Sequence, residues 1–334
     1  MNAANGKESA MKLKKEIFIL AAIIIGLSIY LVARKPDRAL YELPKLPPVS
    51  GSEITRIEIG GPRANLVLSR SNNDWIVGDE KYPAAKSKVQ QMIDTIEGLT
   101  LTELISTTGD TTRYDLTADK KIRVKAWAGD TLQREFEIGK TAPSFRHTFV
   151  RIAENPNVYN ARDNFRSKFD QELADLRDNQ VLSFPVSEIR QVRVTRGAGS
   201  LLLERKEGAL EQSGAPQAEE TAAAPVKAEM VWQTSEGAKA NQARLDSFLT
   251  TLSQLACDSY VVDRGKKDFS APIYQIRVTG SQDYELAIFD KLGEDADKHP
   301  AISSQNDFPF FLPDWQVKNL MPEFTDLLQD SKPE

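Results

Sequence analysis

The sequence predicts an α+β protein: an N-terminal transmembrane helix followed by two tandem copies of an antiparallel-sheet-plus-helix domain. Three observations predict it. The first is a self-match. "SEITRIEIGGPRANLVLSR" (Ser52 to Arg70) aligns without a gap with "SEIRQVRVTRGAGSLLLER" (Ser187 to Arg205). Ile57 and Ile59 are answered by Val192 and Val194, and Leu66, Leu68 and Arg70 by Leu201, Leu203 and Arg205. The second is periodicity: alternating runs joined by short turns read as hairpins, and each copy carries one stripe at helical spacing. The third is the run from Ile17 to Ala33, which carries no charge and lies between basic flanks.

A chain of 334 residues makes two domains the default. Hydrophobic content of 40% and charged content of 27% are those of a folded protein, so each half can hold a core. A net charge of −5 argues against a nucleic-acid partner, which wants a basic footprint. The single cysteine, Cys257, excludes an internal disulfide and a cysteine-based zinc site.

Taken in order, residues 1–16 are predicted to be a cytoplasmic tail, 17–33 a membrane anchor and 34–51 a proline-rich tether. Residues 52–184 form the first repeat, and 185–330 the second, with a disordered insertion at 208–229. The apolar run is at the short end of what spans a bilayer; a cleaved signal peptide is the alternative, without a clean small-x-small cleavage site. Lys7, Lys12, Lys14 and Lys15 precede the run and Arg34, Lys35, Arg38 and Lys45 follow it, so charge bias leaves orientation almost tied. A short lysine-bearing tail is awkward to translocate, which favours the bulk of the chain outside. Pro36, Pro44, Pro47 and Pro48 then stiffen an extended spacer.

In the first repeat, strands around Ile54–Ile59 and Asn65–Arg70 turn at "GGPR", and a third strand surrounds Trp75. The second repeat turns at "RGAG" and places Trp232 in the third strand. Val89, Met92, Ile93, Ile96 and Leu99 make a helical stripe that Leu245, Phe248, Leu249, Leu252 and Leu255 repeat in spacing. Further hairpins follow, and each copy closes on a second apolar-faced helix. The first carries Phe165, Phe169, Leu173 and Leu176; the second carries Val317, Leu320 and Met321, then Phe324, Leu327 and Leu328 after a break at Pro322. The insertion, rich in Ala, Glu and Pro without periodicity, cannot bury a core.

No catalytic constellation, cofactor site or metal site is readable, so none is assigned. His147 and His299 align at equivalent strand starts, "RHTFV" and "KHPAI", in separate copies and read as structural. "RGAGS" (196–200) joins two strands and lacks the third glycine of a nucleotide fingerprint. Asp290, Glu294, Asp295 and Asp297 cluster without calcium-loop spacing, leaving a solvated acidic loop, with weak Ca²⁺ affinity as the alternative. Trp75 and Trp232 read as core aromatics rather than a sugar platform, and Cys257 as a small buried hydrophobe.

The anchor, "EITRIEI…LVLSR…DWIV", "YPAAKSKVQQMIDTIEGLTLTELI", "YDLT…IRVKAWAGD…FEIGK", "VYNARDNF" and "LRDNQVLSF" together resemble the bacterial domain-of-unknown-function family numbered 4340. The resemblance covers nearly all of the chain beyond the tether; the second copy is more divergent. It implies an accessory component of gliding-motility-type ABC transporters with its folded part in the periplasm, and it implies no activity and no catalytic residues.

The expected function is therefore a non-enzymatic periplasmic accessory subunit that acts by protein–protein binding. Its expected partners are the inner membrane, through the single helix, and an ABC-transporter permease or related envelope protein. Duplication suits such a role, because two linked weak sites gain effective concentration. The alternative is a cell-wall or polysaccharide-binding module using Tyr82, Tyr114, Phe308, Phe310 and Phe311. A third reading, an enzyme with an unrecognised site, requires a deep pocket with convergent polar groups.

Overall fold

The structure is a computed structural model that describes residues 19–30, 41–207, 230–293 and 296–329. The predicted tail (1–16), the insertion (208–229) and the acidic residues Glu294 and Asp295 lie outside the described residues.

The hairpin pattern puts β1 (Arg56–Gly60), β2 (Asn65–Ser71), β3 (Asp74–Val77) and β4 (Tyr82–Pro83) side by side. Strands β6 (Ile122–Ala128), β7 (Thr131–Thr141), β8 (His147–Ile152) and β9 (Val158–Arg162) continue the sheet, and β5 (Leu101–Ser106) closes its far edge. The order is β4-β3-β2-β1-β6-β7-β8-β9-β5. The second sheet is built from β11 (Gln191–Arg196), β12 (Gly199–Glu207), β13 (Met230–Gln233), β15 (Ser259–Tyr260), β16 (Tyr274–Thr279), β17 (Asp283–Ile288), β18 (Lys298–Ser303) and β19 (Phe310–Pro313). Its order, β13-β12-β11-β16-β17-β18-β19-β15, is that of the first sheet without the short edge strand. Every pairing between named strands is antiparallel.

The matched sequences carry matched contacts. Ile57 pairs with Leu68, and Val192 with Leu203. Arg70 Nη1 donates to the Ser52 carbonyl at 3.0 Å, and Arg205 Nη1 to the Ser187 carbonyl at 3.3 Å. One arginine per copy thus ties the end of the second strand to the turn that opens the first. In the second copy that hairpin closes on Gly197, whose φ of +54° suits glycine, so "RGAGS" is a turn.

One face of each sheet is apolar and is covered by a helix. Helix α2 (Lys86–Glu97) buries Val89, Met92, Ile93 and Ile96, and α5 (Gln242–Leu252) buries Leu245, Phe248, Leu249 and Leu252. The closing elements are shorter than the predicted helices. The first copy has two single turns, α3 (Arg166–Phe169) and α4 (Leu173–Leu176). The second has α6 (Asp314–Leu320) and a 3₁₀ turn over Phe324–Leu327. On the opposite face of the first sheet, Tyr114 and Leu116 pass so closely that a Cβ on Gly139 would collide with the Tyr114 carbonyl oxygen.

The predicted fold class is corrected on two counts. The molecule is mostly antiparallel sheet with few helices, since 19 strands stand against short helical elements among the described residues. Cross-strand pairing of alternating side chains, not helix packing, carries most of the structure. And no helix among the described residues is long and apolar enough to cross a membrane, so the N-terminal transmembrane helix is not supported. Residues 19–30 are helical (α1). The remaining predicted anchor positions, 17–18 and 31–33, lie outside the described residues.

The two copies share a single continuous core that runs from Val49 to Leu327. The segment joining them is the seam. β10 (Gln180–Ser183) pairs with β14 (Gln254–Ala256) just after α5. Val181 and Leu182 are buried there, and Gln305 receives the Ser183 N–H at 2.6 Å and donates to its carbonyl at 2.9 Å. In the first copy the corresponding place is taken by residues 41–49. Leu43, Leu46 and Val49 pack on the core, and the Tyr41 hydroxyl receives the Leu104 N–H at 3.1 Å.

Candidate functional site

Three places gather polar chemistry, and each is built by strand register. On the outer face of the first sheet, Arg123 faces Glu137 across β6–β7, and Glu137 faces Arg151 across β7–β8. Glu137 accepts from Lys121 Nζ at 2.5 Å, Arg123 Nη2 at 3.2 Å and Arg151 Nη2 at 2.5 Å. Burial opposes ionisation of Glu137, but hydrogen bonds from Lys121 and Arg151, with their charges, outweigh it and hold the carboxyl below its ordinary value. The group is therefore a fixed anion, not a base poised near neutral pH. A groove of about 340 Å³ opens above it. In the second copy the register puts Gln275, Ala287 and Ile302 in the places of Arg123, Glu137 and Arg151, so the cluster belongs to one repeat alone.

The second place is the seam. Arg177 lies 3.7 Å from the centre of the Tyr82 ring, on the first repeat, and 5.5 Å from that of Tyr260, on the second. Tyr260 donates its hydroxyl to the Asp178 carbonyl at 2.5 Å and receives Asn306 Nδ2 at 2.8 Å. Burial pushes the Tyr260 hydroxyl up to about 12. Cys257 nearby is buried as expected, and burial pushes its thiol up to about 12, leaving it protonated and unreactive at neutral pH. The third place is Arg134, 8% exposed, whose guanidinium donates to the carbonyls of Ile96 and Pro47. It clamps the end of α2 to the approach segment.

The remaining sequence candidates are dispersed. His147 Nδ1 is 3.3 Å from Ser144 Oγ; His299 Nδ1 is 2.9 Å from the Phe289 carbonyl, and its Nε2 is 3.3 Å from Asp314. They are not equivalent: the registers match His147 with Lys298, and His299 with Thr148. Trp232 is buried, Trp75 packs against the core, and both face the matched arginines Arg205 and Arg70. Of the five aromatics of the glycan reading, Tyr82 and Phe310 are buried, while Tyr114, Phe308 and Phe311 are partly so. Asp290 and Asp297 form no metal-holding group among the described residues. Glu137, Arg134 and Arg177 were not singled out by sequence reasoning. For Glu137 the signal was there, in the charged residues of one repeat that become uncharged in its twin.

Residues 75–273 match the family described as "Domain of unknown function (DUF4340)". The chain belongs to that family. The matched span of this DUF4340 chain runs from β3 through the seam to the segment before β16, so it includes Glu137, Arg177 and Tyr260. Comparison with curated proteins and with solved structures finds no match.

Proposed function

We propose that this DUF4340 chain is a non-enzymatic accessory subunit on the periplasmic side of the cell envelope. It would act by binding a protein of an ABC-transporter-type complex of the gliding-motility kind. One observation carries the reading: the ionisable groups that burial sets apart are committed to structural partners. Glu137 is held by three cations, Tyr260 by Asn306 and the Asp178 carbonyl, and Arg134 by backbone carbonyls. Buried groups held in this way serve the architecture, which leaves the exposed side chains to act by recognition. The transporter assignment rests on the family resemblance. Burial of Tyr82 and Phe310 weighs against the glycan alternative, which needs a flat row of exposed rings.

The test is affinity purification of the full chain from its native cell in mild detergent, with mass spectrometry, beside sedimentation with purified cell wall. Copurification of a permease and its ATPase, without cosedimentation, is expected. Cosedimentation with cell wall in the absence of transporter subunits overturns the reading.

A further inference from the structure

The two repeats can be compared position by position at their closing turns. Glu172 and Asp175 make a capping box in the first, and Glu323 and Asp326 make it in the second. The Ala85 N–H donates to the Leu176 carbonyl at 2.8 Å, and the Asn241 N–H to the Leu327 carbonyl at 2.9 Å. By this match Arg244 stands where Lys88 does, Thr251 where Thr95 does, Asn319 where Lys168 does, and Pro322 where Gln171 does.

In the first repeat, side chains bridge the gap between α2 and the closing turns. Lys88 Nζ donates to Gln171 Oε1 at 3.3 Å and to the Asp175 carbonyl at 2.5 Å, and Lys168 Nζ donates to Thr95 Oγ1 at 3.1 Å. In the second, Pro322 offers no side-chain acceptor, and Thr251, which like Thr95 donates back along its own helix, faces Asn319 where Thr95 receives Lys168. The gap stays open as a groove of about 590 Å³ between α5 and α6, floored by buried Phe248 and Leu327. Arg244 and Lys318 line it from opposite helices, exposed, and neither side chain forms a hydrogen bond or salt bridge among the described residues. The groove's carboxylate, Asp326, is engaged by the Glu323 N–H at 3.3 Å. At the same end, Trp315 is 67% exposed and lies three and four residues before Lys318 and Asn319, on one face of α6. Its counterpart in the first repeat is Asn164, which accepts from Thr141 at 2.9 Å.

We propose that this α5–α6 groove docks an acidic segment of a partner protein that also carries an apolar side chain. Arg244 and Lys318 would receive the carboxylates, and Trp315 with the Phe248 floor would receive the apolar group. Two cations on separate helices suit charges spaced along a chain, and Trp and Arg are the side chains that dominate protein interfaces. The proposal rests on the protein-binding reading above and names the site and the partner's chemistry.

The experiment selects a random-peptide phage library on the full chain, then measures the affinity of the selected peptide. Enrichment of Asp or Glu beside apolar residues is expected, with Trp315 emission shifting on binding. The R244E/K318E double variant should weaken that peptide by about tenfold or more, and added salt should weaken binding to the unaltered chain. Pro322→Gln, which gives Arg244 the acceptor that Gln171 gives Lys88, should weaken it too without reversing any charge. Selected peptides without acidic residues, or equal binding to the charge-reversed and Pro322→Gln chains, overturn the proposal. Peptide binding at the groove in a chain that purifies without transporter subunits would retain the site and remove only the transporter as its partner.

Discussion

Glu137 is the residue on which most charge converges, and its surroundings set a testable pH dependence. Its carboxyl is held below the ordinary value of 4.5. A group with a lowered folded-state value adds stability that is fully present above the unfolded value and is lost as the pH falls through the folded one. Glu137→Gln should therefore cost about 2–3 kcal/mol at neutral pH, because three cations lose a buried partner. The difference from the unaltered chain should shrink as the pH is lowered below 4.5 and through the depressed folded-state value. Urea unfolding at the two pH values checks this; an equal difference at both would show that the charge is not what matters. "LQREFEIG" belongs to one of the hairpins read from the sequence, and β7 is that strand. That Lys121, Arg123 and Arg151 meet at one carboxylate depends on three strand registers, and no single strand carries that information. Cys257 and Trp232, whose surroundings follow from local pattern alone, were legible.

Among the elements, the approach segment shows what composition hides. Prolines at 44, 47 and 48 forecast an extended spacer; the apolar residues set among them give the segment a docking face as well. Leu43, Leu46 and Val49 pack on the core, and the Pro47 carbonyl is an acceptor for buried Arg134. A chain that begins at Ser50 should melt about 10 °C lower, since Arg134 then keeps one acceptor fewer and the core loses its cover. An unchanged thermal midpoint would show the segment to be a passive spacer. The stripes of α2 and α5 were legible because both keep one apolar face, but their last members, Leu99 and Leu255, lie beyond the helices, Leu255 in β14. The closing helix of the first repeat was not: Phe165, Phe169, Leu173 and Leu176 keep helical spacing, yet Asp170 to Glu172 leave the helix between α3 and α4. Spacing in sequence does not register such a break when the apolar contacts on both sides of it are kept.

At the scale of the whole molecule, one core spans both sheets, so the repeats should unfold together. Calorimetry should show a single transition whose calorimetric and van't Hoff enthalpies agree. Leu182, 1% exposed in the seam strand, is the point at which to cut: Leu182→Asp should split the transition in two by burying an unpaired charge between the repeats. A single transition at a lower temperature would mean that the copies are coupled elsewhere. The duplication was legible from nineteen aligned residues, whereas the joint was not, because the second copy closes with a different sequence. The seam also bears on how such a chain could have grown. The stretch that covers each repeat comes before it in the chain, residues 41–49 for one and 177–184 for the other. A gene segment copied from Tyr41 to Leu176 carries its own cover and can be inserted in series with the bond from Ala85 to Leu176 intact. A segment copied from Ser52 leaves each new unit bare along that flank.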